Sequence, residues 1–164
     1  MYRPGHYGVA LALYAPIGGI LVAIGMVNRA LLGVGILLAL AMLPDLDSKT
    51  TRLNHRGPTH SLAFALLVGL LTGVVAGILA GIVSGISNGM WFAGFGLFVG
   101  TLAIVSHLLA DVVTPMGIRP FWPVSGRHYT LAITPSSDPR ANYLLFVSGT
   151  VLIASAWLLG RMLG

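Results

Sequence analysis

Five histidines and four aspartates are the only side chains in this 164-residue chain suited to binding a metal ion or moving a proton near neutral pH, because it contains no cysteine and no glutamate. They are gathered in short motifs at the ends of apolar stretches: His6, the PDLD run at 44–47, HRGPTH at 55–60, HLLAD at 107–111, then His128 and Asp138. Mixed imidazole and carboxylate donors suit a borderline or hard divalent cation. Without cysteine, thiolate ligation, cysteine nucleophiles and disulfides are excluded.

His107 and Asp111 are four residues apart, so on a helix both project from one face and can grip a single ion; the plainer alternative is a histidine–carboxylate pair closing a helix end. Asp45 and Asp47 follow Pro44 where a helix must stop, and carboxylates at i and i+2 can bracket a cation or simply build a turn. In HRGPTHS, Gly57-Pro58 breaks the chain and Thr59 is the expected N-cap of the next helix. His60 then falls in its first turn, where the dipole disfavours imidazolium and keeps the ring neutral for a metal. Arg56, beside His55, offers a planar fork for a phosphate or carboxylate, or serves as a topology signal. His6 precedes the first apolar stretch. His128, in GRHYT, either reaches the site or sits on the surface, and Asp138, in SSDPR, reads as a turn residue.

Together these residues bring His or Asp from five segments to one end of the spans. Buried unpartnered, such groups cost several kcal/mol each, and a metal is the economical partner. The expected ligands are His6, Asp45, His60, His107 and Asp111, holding one or two ions, zinc first, with manganese or magnesium as alternatives. A metal with open positions activates water near neutral pH, so hydrolysis is the expected chemistry. Asp47 or His55 is the candidate general base, Arg56 or Arg127 the candidate holder of phosphoryl oxygens, and His128 a further catalytic candidate. Two other classes use the same residues: a transporter or channel for a divalent metal, and a non-catalytic metal-stapled membrane protein.

The elements that position them are membrane spans. With 56% hydrophobic and 8% charged residues and a mean hydropathy of +0.91, the chain is too apolar for a soluble surface. A span needs about 20 apolar residues. Five stretches qualify, near 7–27, 30–43, 61–86, 90–109 and 143–163, the second short at 14 residues and readable as re-entrant. The expectation is an all-α integral membrane bundle of about five helices, one domain over 1–164, with a metal site at one face. That face carries Arg3, Lys49, Arg52, Arg56, Arg119, Arg127 and Arg140, and the other Arg29 and Arg161. The positive-inside rule makes the richer face cytoplasmic, in a plasma membrane. The +5 net charge is therefore topological, and no nucleic-acid partner is expected. An N-terminal signal peptide is rejected, because the first apolar run is too long and cleavage would remove His6.

Gly69, Gly73, Gly77, Gly81, Gly85 and Gly89 recur every fourth residue and draw one stripe along helix three. It suits close packing against a neighbouring helix, or a homo-oligomer seam. Five prolines between 112 and 141 forbid a continuous helix there, and the segment is expected to lie over the polar face with Phe121 and Trp122 in the membrane interface.

Early His6, PDLD with Asp45 and Asp47, HRGPTHS at 55–61, HLLADVVTPMG at 107–117 and the pair Trp122-Pro123 together resemble the YdjM-type family of membrane-bound, metal-dependent hydrolases (the DUF457 group). The resemblance covers most of the chain and implies a small integral membrane hydrolase with a bound metal, its substrate a membrane lipid or lipid-linked molecule on the present reading. The order His6, Asp45, His60, His107, Asp111, His128 is similar to that of zinc-dependent phospholipases C and P1-type nucleases. That likeness implies one zinc on Asp45, His60, His107 and Asp111, with Asp111 bridging to a second held by His6. The chain departs from that pattern at Met1, which stands where a processed tryptophan is expected, and in lacking a late HxxxE or HxxxD pair.

Overall fold

A computed structural model describes residues 1–49 and 56–164, Ser48 and Lys49 through the backbone only. His55 and Arg52 lie outside the described residues. The described chain is all-helical: α1 (Arg3–Ala23), α2 (Val27–Leu40), α3 (Leu62–Ser84), α4 (Ile86–Val112) and α5 (Pro139–Leu163), with short 3-10 turns at Pro44–Lys49 and Pro58–His60. Five segments are long and apolar enough to cross a membrane, the second being α2 extended through the turn to Asp47. The short second stretch thus gains its length from two pieces. Its regular helix has 14 residues, a rise of about 21 Å.

Two helix boundaries differ from the sequence expectation for one reason. The reversals fall at glycines rather than at the polar residues beside them. Gly25 and Gly85 have φ of 77° and 88°, a region that side-chain-bearing residues avoid. Asn28-Arg29 is therefore in the first turn of α2, and Ser87–Gly89 in the first turn of α4. Arg29 lies with its guanidinium carbon 4.2 Å from the centre of the Trp91 ring, a cation–π contact at the end of the bundle opposite the histidines.

Helices with little hydrophobic drive in lipid associate by close van der Waals packing. Here α1 packs chiefly on α5, α3 on α4, and α2 on both α1 and α4. The glycine stripe of α3 is spent inside the chain. A Cβ on Gly73 would stand 2.7 Å from the Ala93 carbonyl oxygen, and one on Gly77 2.8 Å from the Ala93 Cβ. Gly89, Gly96 and Gly100 of α4 answer from the other side. The face weighed as a homo-oligomer seam is thus occupied by α4 of the same chain. Between α1, α2 and α4 lies a core of Ala10, Tyr14, Leu37, Ala41, Val99 and Ala103, closed by the Tyr14 hydroxyl donating to the Ala30 carbonyl at 3.0 Å. The inner helices α1 and α4 have the largest buried shares, and the first turn of one meets the last turns of the other.

Candidate metal centre

That meeting point collects the histidines and aspartates. His6 enters from the first turns of α1, Asp45 and Asp47 from the 3-10 turn after α2, His60 from the turn before α3, and His107 and Asp111 from the last turns of α4. Donor atoms of Asp45, His60, His107 and Asp111 all lie within 4.8 Å of one another. His60 Nε2 and His107 Nε2 are 3.2 Å apart. Asp111 Oδ2 is 3.4 Å from the first and 3.5 Å from the second. Asp45 Oδ1 is 3.7 and 3.5 Å from the same two atoms. Ligands on a tetrahedron with bonds of ~2.0–2.1 Å stand ~3.3–3.4 Å apart, so these five edges enclose a space of the size that a small divalent ion takes.

The protonation pattern points the same way. His107 Nδ1 lies 2.8 Å from the Ala41 carbonyl oxygen, which can only accept, so Nδ1 carries the proton. That carbonyl is one of those left without a helical partner where α2 ends. His60 Nδ1 faces Asp47 Oδ2 at 3.3 Å, again an acceptor. In the neutral tautomers two Nε2 lone pairs therefore confront each other across 3.2 Å, with the Asp111 Oδ2 beside them lacking any hydrogen-bond partner. Such a set needs a cation among it, a proton or a metal.

The site holds a proton on His60 more tightly than water does. Burial works against its imidazolium, but hydrogen bonding with Asp111 and then Asp45 outweighs it, and the pKa is raised above 6.5. This corrects the expectation of a ring held neutral by a helix dipole. The N-cap of α3 is Ser61, whose hydroxyl accepts from the Phe64 N–H at 3.1 Å; Thr59 instead donates to Asp47 Oδ2 at 2.7 Å. His60 therefore precedes the helix. Loading an ion costs the proton that the raised pKa retains, so metal affinity falls as pH is lowered.

Asp47 is no open general base. It is buried, and one oxygen accepts from the Arg56 backbone N–H at 3.1 Å and from the Thr59 hydroxyl, whose oxygen in turn accepts from His60 Nδ1 at 3.1 Å. Its geometry is that of a residue orienting a ligand. Asp47→Asn is expected to leave the protein folded and weaken metal binding about 10–100-fold, read by competition with a chelator. Unchanged affinity would remove that role.

Arg56 is a clamp rather than a loop charge. It is buried, its Nη2 donates to Asp111 Oδ1 at 2.8 Å, and its Nη1 donates to the Thr114 hydroxyl at 2.9 Å and the Gly117 carbonyl at 3.1 Å. Its backbone stands at φ 59°, a strained left-handed conformation. Thr114 went unnoticed in the sequence, although it lies one turn after Asp111.

His6 is fully buried and stacks flat on His107, ring centres 3.9 Å apart and 2° from parallel. Its Nε2 lies 3.7 Å from Asp111 Oδ1 and 3.9 Å from Asp45 Oδ2, the outer oxygens of the two carboxylates, outside the four-donor cage. Both its ring nitrogens lack hydrogen-bond partners. Asp111 Oδ1 is already engaged by Arg56 and by the Met1 amino group at 3.1 Å, which supply the positive charge a bridged second ion would bring.

The remaining candidates lie apart from the cage. His128 Nε2 donates to the Met116 carbonyl at 2.7 Å, and Arg127 lies over the Tyr129 ring, 5.4 Å from its centre. Asp138 caps α5, accepting from the Arg140 N–H at 2.9 Å. Asn142, which carried no signal in the sequence, is buried; it ties α5 to the start of α1 by accepting from the Tyr2 N–H at 2.9 Å.

Compared with known proteins, residues 1–163 match the family model described as YdjM inner membrane protein. No curated protein and no solved structure matches the chain.

Proposed function

Because the chain belongs to the YdjM inner membrane protein family, we propose that it is a membrane-embedded, metal-dependent hydrolase that cleaves a phosphoester of a lipid or lipid-linked substrate at the cytoplasmic face. The observation that carries the reading is the four-donor cage of Asp45, His60, His107 and Asp111. A divalent ion of the zinc type, once bound there, supplies Lewis acidity and an activated water. The chain's own residues do the rest. His107 is held in the ligand tautomer by the Ala41 carbonyl and His60 by the Thr59 hydroxyl, itself oriented by Asp47. Arg56 holds Asp111 in place, and Asp45 is the one ligand with substantial exposure, at 26%, so substrate reaches the cage from its side. One ion per chain is proposed.

The transporter reading has less support. All four aspartates and the four described histidines, His6, His60, His107 and His128, belong to the end of the spans where the cage lies, and among the described residues none is left to form a path through the other half of a bilayer. The cytoplasmic placement follows from the basic residues of that end, with Arg56 discounted because it is buried against Asp111.

The test is release of phosphate or headgroup from phospholipid nanodiscs by the zinc-loaded protein. Hydrolysis is expected from wild type and is expected to vanish with a chelator and in His107→Ala. Activity that survives both treatments, or zinc flux into proteoliposomes without any hydrolysis, would remove the proposal.

A further inference from the structure

Beside the cage lies a cavity of about 470 Å³, lined by Arg56, Gly57, Pro58, Met116, Gly117, Ile118, Arg119, Trp122 and His128. Two arginines and a histidine border it, and no carboxylate does. Among the described residues Arg119 makes no ion pair and is exposed. Arg56 has five N–H donors. Two are spent on Thr114 and Gly117 and one on Asp111, while its Nε is buried without a hydrogen-bond partner. A buried guanidinium N–H left unpaired costs free energy comparable to a lost charge-assisted hydrogen bond. The occupant that suits a cavity bounded by two guanidinium groups and no carboxylate is an anion.

The surroundings indicate where that anion comes from. The chain doubles back through the bridge between Ile118 and Tyr129, each donating its N–H to the other's carbonyl at 3.0 and 2.9 Å. The tip between them exposes Phe121, Trp122 and Val124, the last at 94%. Exposed aromatic and aliphatic side chains next to Arg119 and Arg127, on the face where the spans end, match a membrane interface. Gly117 permits the closure, since it has φ 55° and a Cβ there would collide with the Tyr129 carbonyl.

We propose that this cavity is a phosphate-binding subsite, in which the guanidinium groups of Arg56 and Arg119 hold the phosphate oxyanion of a lipid headgroup next to the metal cage. The inference rests on the phosphoester reading and adds Arg119, which that reading does not use. Arg56 joins the two sites, since the same guanidinium that binds Asp111 borders the cavity.

The test uses full-length protein in detergent or nanodiscs, with inorganic phosphate as probe, followed by phosphorus NMR. Zinc-loaded and chelator-treated wild type are both expected to bind phosphate. Arg119→Gln is expected to weaken binding at least about ten-fold with zinc content unchanged, and Arg56→Lys, which lacks the planar guanidinium fork, to weaken it as well. Nanodiscs containing phosphatidic acid are expected to displace the probe where phosphatidylcholine nanodiscs do not; equal displacement would overturn the lipid source and leave a soluble phosphate as occupant. Phosphate binding that disappears with the metal, or is the same in Arg119→Gln as in wild type, would overturn the subsite. Zinc content and hydrolysis, measured separately, distinguish that failure from failure of the metal centre.

Discussion

Asp111→Ala is expected to empty the metal cage and to destabilise the protein by about 3–5 kcal/mol, because it strands a buried arginine. Asp111 is almost wholly buried, at 1% exposure. One oxygen faces His60 and His107, and the other accepts from Arg56 at 2.8 Å. Removing the carboxylate deletes a ligand and leaves the guanidinium with no counter-charge at that position. Asp111→Asn separates the effects. The amide keeps the volume and an acceptor for Arg56, so it is expected to retain more thermal stability than alanine while losing the metal as completely. Both variants are compared with wild type by thermal unfolding in detergent and by metal analysis. Equal stability of Asp111→Ala and wild type would contradict the clamp.

The second large effect is expected from a residue that touches no ligand. Gly8 faces α5 so closely that a Cβ would collide with the Leu145 carbonyl, and a Cβ on Gly149 would in turn collide with the Gly8 carbonyl. Backbone cannot step aside as a side chain can, so Gly8→Val is expected to cost at least the ~1–3 kcal/mol of an overpacked core. It also carries a functional cost, because α1 sets the position of His6 two residues earlier, and with it the ring stacked on His107. A lowered unfolding temperature together with reduced metal occupancy is the expected result. Gly35→Ala is the control: nothing lies within 4 Å of its Cβ position, and replacing a helical glycine there is expected to be neutral or to stabilise by up to about 1 kcal/mol.

The fold and the ligand set were legible to different depths, for physical reasons. Spans announce themselves by composition, since lipid demands long apolar stretches from any helix that crosses it. The i, i+4 spacing of His107 and Asp111, and the helix-stopping Pro44 before Asp45, likewise express local rules, and His107, Asp111 and Asp45 all reach the cage. What stayed hidden depends on contacts distant in sequence. Thr59 and Ser61 are both good caps, and only the presence of Asp47 Oδ2 at 2.7 Å from Thr59 decides that Ser61 caps α3. That choice moves His60 out of the helix. Arg56 was readable as a fork for a phosphate or carboxylate or as a topology charge, and the carboxylate it binds lies 55 residues away. Arg119 counted only toward the topology, since a cavity wall is a property of packing. The glycine stripe of α3 carried a true message about close approach, and the identity of the approaching helix emerged only when α4 was seen folded against it.

The central claim is that Asp45, His60, His107 and Asp111 form a metal centre, and X-ray absorption spectroscopy with metal quantitation on wild-type protein purified without chelator tests it most directly. The account predicts about one divalent ion per chain, with a nitrogen and oxygen shell at ~2.0–2.1 Å and no sulfur. Protein that holds no metal above background, even after incubation with zinc, would contradict it.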